Sequence, residues 1–401
     1  MPAVGSAAPR SHTLARRTLG VYVHIPFCAA RCPYCDFATA PATSRLRARY
    51  LAALAEEIGR EGAALGRPRA RTLYVGGGTP SLLEPDEVDA LGAALRSAFV
   101  FRPLEATVEA NPATLDRARL HAWKRLGITR LSLGAQSFSA RGLRALGRTH
   151  QPEDVAPAVT AARSVGLAVA IDLIFGWPGQ TAEDWAADLA AALALRPDHL
   201  SCYPLELETE REEADANWPG GGWPVVARWR ARAASAAPDE DAVASRYEEA
   251  ERTLRRAGFR HYEIANWARP RMRSRHNLAY WRNEEWVGLG AGAHSHLAGM
   301  RSRNPAALTE YVARVEAGAG RLAAERVDEA VDGAILALRL DEGLALDRYA
   351  ARFGRAAAAR ARRGLRSLDG TGLVRWSGET ARLTPRGRLL ASEVFLRLLP
   401  D

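Results

Sequence analysis

The stretch Cys28-Ala-Ala-Arg-Cys32-Pro-Tyr-Cys35, entered from Val21-Tyr-Val-His-Ile-Pro-Phe27, gathers three of the chain's four cysteines into eight residues. Their spacing is C-x3-C-x2-C. An odd, close trio leaves a disulfide set incomplete, and a structural zinc site calls for four ligands. Three thiolates match a [4Fe–4S] cluster held at three corners, because such clusters are built on cysteine sulfur. The fourth iron then stays open to a small chelating ligand. A redox-inert or zinc-binding cysteine cluster is the competing reading, and the spacing and lead-in weigh against it.

Outward from this loop, residues 19 to about 204 alternate short β-branched runs with longer helical patterns, which implies β-α units around a parallel sheet. Strands are predicted at 20–25, 72–75, 107–110, 130–133, 168–174 and 199–203, and helices at 44–64, 85–99, 115–126, 153–165 and 182–194. The last helix opens on Thr181 as N-cap, with Glu183 and Asp184 in its first turn. Six units suit an α/β fold of the open (β/α)6 type, a partial TIM barrel, better than a closed eight-fold one. Residues 19–310 are assigned to it. A flexible extension is expected at 1–18, which is rich in Ala, Arg and Ser and contains no acid. An irregular insertion is expected near 208–240, around Trp218-Pro-Gly-Gly-Gly-Trp223-Pro.

Unusual residues follow the strands, and in β/α barrels the C-terminal strand ends form the active face. After the second strand comes Gly76-Gly77-Gly78-Thr79-Pro80-Ser81, whose backbone can approach a ligand closely. After the third comes Glu109-Ala-Asn111-Pro112; after the fourth, Gln136 and then Gly147-Arg148-Thr149-His150. The fifth carries Asp172 within Ala-Ile-Asp-Leu-Ile-Phe, where a buried charge needs a partner. Hydrogen bonding within the barrel would account for Glu109, Gln136 or Asp172 singly. Together on one rim they favour a ligand site. Cys202, on the sixth strand, reads as a small buried apolar residue.

A second constellation is Arg275-His276-Asn277-Leu-Ala-Tyr280-Trp281, leading into Trp286 and on to His294. A histidine can ligate heme iron, and Tyr and Trp offer flat faces to a porphyrin. The alternative is that His276 is packed or hydrogen-bonded and the aromatics are core. His24 and His294 rank below His276 as candidate ligands. Residues 326–401 read as a separate unit, with helices at 329–338, 346–353 and 356–368, a hairpin at 372–376 and 380–383, and a final helix at 385–398. That pattern is winged-helix-like.

Composition bounds these readings. At 401 residues, with 47% hydrophobic and 25% charged side chains, the chain is an ordinary globular protein with room for a large domain and a smaller one. No apolar run approaches spanning length, so no membrane span is expected, and peripheral association stays open. The cysteine usage fits a reducing cytoplasm. The net charge of +9 raises nucleic acid as a partner, but Lys124 is the only lysine and arginine is spread through nearly every helix. That bias is compositional, and no nucleic-acid partner is expected.

The trio and its lead-in resemble the radical S-adenosylmethionine (SAM) superfamily, in which the open iron chelates SAM. Tyr22-Val-His-Ile-Pro-Phe-Cys28 and Cys35-Asp-Phe37 resemble its coproporphyrinogen III oxidase-like branch, and the His276 segment resembles the H-N-x-x-Y-W motif of that branch's heme chaperones. The oxidase carries a further cysteine where this chain has Phe37. The resemblance implies SAM contacts at Tyr22, Gly78, Thr79, Pro80, Glu109, Gln136, Arg148 and Asp172, and an adenine contact through the backbone of Tyr34, for one SAM or two. It implies a [4Fe–4S] cluster on Cys28, Cys32 and Cys35, and heme, with His276 as candidate ligand. It further implies a heme-acceptor protein and an electron donor such as a flavodoxin or ferredoxin. Two rival functions remain: the oxygen-independent oxidase, and a winged-helix DNA-binding regulator that carries a cluster.

Overall fold

The β-branched runs do form strands, and most of their residues are buried, as in a parallel sheet with both faces covered. The computed structural model describes residues 18–206, 223–322 and 324–400. The expected extension, apart from Thr18, and residues 208–222 of the expected insertion lie outside the described residues, while the rest of that insertion is not irregular as expected but contains the helix Trp223–Ser235. Strands β1 (Thr18–Ile25), β2 (Arg69–Gly77), β3 (Val100–Ala110), β4 (Arg130–Gln136), β5 (Ala168–Phe175) and β6 (His199–Pro204) lie side by side in chain order, all parallel. Between them run α1 (Ser44–Ala64), α2 (Pro85–Ala98), α3 (Arg117–Leu126), α4 (Val155–Ser164) and α5 (Ala182–Ala194). Thr181 caps α5 as its sequence predicts: its hydroxyl accepts from the Asp184 N–H, and the Asp184 carboxylate accepts from the Thr181 N–H.

The sheet does not stop at six strands. After α6 (Trp223–Ser235) and α7 (Glu240–Arg256), β7 (Arg260–Glu263) and β8 (Asn266–Ala268) extend it antiparallel beyond β6. Then α8 (Arg275–Trp281) leads to β9 (Trp286–Leu289), a seventh parallel strand lying against the outer edge of β1. Strands β10 (His294–Leu297), β11 (Met300–Arg303) and β12 (Glu325–Arg326) continue antiparallel from β9. The order is β12-β11-β10-β9-β1-β2-β3-β4-β5-β6-β8-β7, a mixed twelve-stranded sheet that curls without closing. The sequence reading missed β9 because four residues interrupted by glycine carry little β signal.

Beyond residue 325, α9 (Glu329–Arg339), β13 (Leu344–Ala345), α10 (Leu346–Phe353), α11 (Arg355–Arg366), β14 (Val374–Ser377) and β15 (Thr380–Leu383) enclose their own apolar cluster around Leu338, Leu365 and Ala381. The expected two-stranded wing is a three-stranded sheet, because Leu344–Ala345 pairs with Thr380 and Ala381. The expected final helix is divided at Leu390, whose backbone leaves helical values, into α12 (Pro385–Leu389) and α13 (Ala391–Leu396). The Arg388 guanidinium joins this unit to the barrel, reaching Glu251 at 3.2 Å as well as Asp341 at 2.8 Å. Among the described residues no helix is long and apolar enough to cross a membrane.

Candidate cluster and cofactor site

Where β1 ends, a two-residue parallel ladder, Phe27 opposite Ala40 and Cys28 opposite Pro41, anchors both ends of the cysteine loop. Within it the Cys35 N–H donates to the Cys32 carbonyl at 3.0 Å. The glycine run at the end of β2 is stitched to the same exit: the Gly78 N–H donates to the Ile25 carbonyl and the Thr79 N–H to the Phe27 carbonyl, each at 2.8 Å. A methyl group on Gly78 would stand 2.6 Å from the Pro26 carbonyl carbon, and Gly77 holds φ at +112°. Neither position tolerates a side chain without displacement.

Cys28, Cys32 and Cys35 line one cavity of about 750 Å³. Tyr34, Gly78, Thr79, Glu109, Gln136, Arg148 and Asp172 line the same cavity, so the strand-end residues converge. Two others do not join them. Tyr22 faces an adjoining cavity, its hydroxyl 2.9 Å from Nδ1 of His24, and Pro80 is buried at the start of the 3-10 turn Pro80–Leu82. Cys202 is fully buried.

Burial pushes the Cys28 thiol up to about 11 and the Cys35 thiol up to about 12. Metal must therefore displace protons to bind there. The Thr79 hydroxyl lies 3.5 Å from the Cys28 sulfur, and the Arg148 guanidinium 3.4 Å from that of Cys32, donors that suit ligated thiolates. Among the described residues no three His, Cys, Asp or Glu side chains converge on a single-ion position. A cubane asks for something different, because each thiolate binds a different iron. Three half-buried thiols lining one cavity, two of them facing donors, fit that group.

The rest of the cavity suits a small zwitterion. Glu109 accepts from the Tyr74 hydroxyl (2.7 Å) and the Gly77 N–H (3.0 Å), yet burial raises its carboxyl to about 7. Burial likewise raises Asp172, which accepts from the Ser132 hydroxyl at 3.1 Å. Either carboxylate would be stabilised by a bound cation. Arg148 donates to the Gly134 carbonyl at 2.9 Å, while its buried Nε has no partner. Thr107 Oγ1 and His199 Nδ1, also on the wall, are buried without partners as well. Gln136 sits at a bulge between β4 and β5 with φ at +65°, a backbone cost of a kind that recurs at binding sites.

A second cavity, of about 1260 Å³, shares the wall formed by Tyr74, Gly77 and Glu109. The rings of His276, Tyr280, Trp281, Trp286 and His294 line it, as do Arg301, Arg303 and Leu336 of α9. His276 itself is almost fully buried. Its Nδ1 lies 2.8 Å from the Thr72 hydroxyl and its Nε2 2.8 Å from the Tyr280 hydroxyl, while its ring stacks on Tyr74 at 5.3 Å. Both nitrogens are engaged, and burial lowers the ring to about 3. Iron ligation by His276 therefore requires one of those bonds to break.

Reading strand ends alone overlooked Thr72, Tyr74, Glu105, Thr107, Arg130, Ser132, His199 and Ser201. The signal was present: polar residues recur at every second position of β2, β3, β4 and β6, and most of them line the first cavity. Period-two polarity on a central strand marks an interior lined for a ligand.

Residues 22–192 match the Radical SAM superfamily, and residues 326–390 the HemN C-terminal domain. A protein of Mycobacterium tuberculosis (strain CDC 1551 / Oshkosh), named Heme chaperone HemW, is 38% identical over 95% of this chain and 94% of its own length. The chain belongs to the HemW family. A second HemW, from Bacillus subtilis (strain 168), is 33% identical over 93% of this chain and 97% of that one. The solved structure of coproporphyrinogen III oxidase (HemN) from Escherichia coli, a radical SAM enzyme, superposes with a TM-score of 0.81. It covers 97% of this chain and 91% of that one at 23% identity, a likeness of fold.

Proposed function

We propose that this chain is a cytoplasmic heme chaperone that takes up heme and passes it to an acceptor protein. The observation that carries the reading is the end-to-end likeness to HemW proteins, 38% identical over 95% of the chain. Two adjoining cavities of different character support it: one bears thiols and carboxylates, the other is large and walled by aromatic rings. At about 1260 Å³ the second exceeds the usual range of roughly 300–1,000 Å³ for small-molecule pockets and has room for a tetrapyrrole.

In this reading Cys28, Cys32 and Cys35 hold the [4Fe–4S] cluster. Glu109 and Asp172 attract the cationic part of SAM, and Arg148 its carboxylate. Glycines 77 and 78 keep the backbone close enough to line that seat. When bound, the cluster supplies a single electron at SAM's sulfonium, drawn from a flavodoxin- or ferredoxin-type donor. The cysteines are all free thiols, as a reducing cytoplasm keeps them.

Anaerobic reconstitution of the full chain is the test. It should yield about four irons and four sulfides per chain, lost in Cys28→Ala, together with saturable binding of hemin. Conversion of coproporphyrinogen III with release of 5′-deoxyadenosine would instead establish the oxidase. Zinc in place of iron would end the cluster assignment.

A further inference from the structure

A third cavity, of about 500 Å³, opens at the end of the barrel away from the thiols. On its wall, Arg71 stands near the start of β2, Arg260 opens β7, and Ala268 closes β8 opposite His199, the first residue of β6. Leu278 and Ala279 of α8 line it too, whereas His276 and Tyr280 of the same helix line the aromatic cavity. Helix α8 is thus a partition, with aromatic rings on one side and arginines on the other.

Seven arginines line this cavity, and one acid, Glu284. Glu284 is held by Arg71 at 2.6 Å. Arg273 and Arg282 share Glu342, at 3.0 and 3.2 Å, and the Arg269 Nε donates to the Pro197 carbonyl at 3.1 Å. There remain Arg260, Arg271 and Arg275, all exposed, whose guanidinium groups make no hydrogen bond or ion pair among the described residues. Elsewhere many of the chain's arginines are matched singly with acids, as Arg49 is with Glu316 and Arg125 with Asp89. Here seven cations share two acids around one hollow, and their mutual repulsion costs stability.

Arg271 adds a backbone cost. The Met272 N–H donates to the Arg269 carbonyl at 3.0 Å, closing the turn Arg269-Pro270-Arg271-Met272, and Arg271 holds φ at +70°. A turn with proline second and a positive φ third ordinarily takes glycine at the third place, where a longer side chain is strained. An arginine held there, beside cations that no acid balances, points to an anionic ligand that offsets both costs.

We propose that this cavity binds a small molecule through a chain of two or more phosphates, gripped by Arg260, Arg271 and Arg275. Guanidinium forks match phosphate oxygens in pairs. The volume lies within the range of roughly 300–1,000 Å³ usual for small-molecule sites, which suits a compact polyanion better than the long track of a nucleic acid. No aromatic side chain lines the cavity among the described residues, so a nucleobase finds no stacking face there. The site reads phosphates alone, and inorganic triphosphate and a nucleoside triphosphate bind it alike. It shares no lining residue with the thiol or the aromatic cavity, and it stands whether or not the chain carries heme.

The test is calorimetric titration of the full-length chain with sodium triphosphate in magnesium-free buffer. A single saturable site is expected, at least tenfold tighter for triphosphate than for orthophosphate and weakened as salt is raised. Arg260→Gln and Arg275→Gln each weaken triphosphate by about tenfold, whereas Arg363→Gln, the same loss of charge at an exposed position of α11, does not. Arg271→Gly weakens it to the same degree while relaxing the turn, so its loss of binding is not a folding defect. Circular dichroism melts of every variant separate lost binding from lost structure. ATP that binds as triphosphate does supports recognition of the phosphates alone, and ATP that binds where triphosphate does not overturns it. Titration without a saturable heat, or weak binding that Arg363→Gln diminishes as much as Arg275→Gln, overturns the site itself.

Discussion

Glu109 sets the stability of the fold against the proposed attraction of a cation. It is a buried carboxyl that accepts two hydrogen bonds and still titrates near 7, against an ordinary value of 4.5. Between those values the folded chain holds more protons than the unfolded one, so stability declines as pH rises from about 4.5 to about 7. The Glu109→Gln variant removes the titration. Urea unfolding of the cluster-free chain should show it stabilised relative to wild type by about 3 kcal/mol at pH 8 and little changed at pH 4. A pH-independent difference between the two proteins would refute this. The same variant should bind SAM at least tenfold more weakly, as calorimetry would reveal, because the neutral amide no longer attracts an ammonium. His276 shows the opposite economy, with every polar atom of its ring satisfied inside the fold.

At the scale of elements, the seven-residue helix α8 is too short to persist on its own. Glu105, on β3, holds its first turn: one carboxylate oxygen accepts from the N–H groups of Arg275 (2.8 Å) and His276 (3.1 Å). Ser274 caps the same end, accepting from the Asn277 N–H. Replacing Glu105 with Ala leaves one buried and one half-buried donor unpaired and should cost about 2–3 kcal/mol in thermal or urea unfolding. An exposed-site effect of a few tenths would show the cap to be unimportant. This element also marks how far the sequence could be read. The H-N-x-x-Y-W segment announced itself, as did the cysteine loop and the glycine run, because each is a local pattern. The partners that decide what His276 does, Thr72 and Glu105, lie 204 and 171 positions away, and only the folded sheet brings them together. The strand-end rule correctly gathered Glu109, Gln136, Arg148 and Asp172 on one cavity. Pro80 of the glycine run turns inward behind its glycines, and Tyr22, a contact implied by the family resemblance rather than by strand ends, lies partway along β1 on the adjoining cavity.

At the scale of the whole molecule, the C-terminal unit supplies part of the aromatic cavity's wall through Leu336. Leu336→Asp places an anion there and should weaken hemin binding by about tenfold while leaving SAM affinity unchanged, measured on one preparation. Equal loss of both ligands would mean that the substitution had disturbed the barrel instead. The partition between the two cavities is a set of shared residues, chiefly Tyr74, Gly77 and Glu109. Molecules seated on opposite sides of one thin partition trade free energy through it, and thermodynamics forces the exchange to be even-handed. Whatever factor SAM imposes on the grip on heme, heme must impose on the grip on SAM. Loading one chamber thus becomes a message to the other, sent through the side chains that face both, Tyr74 and Glu109 among them.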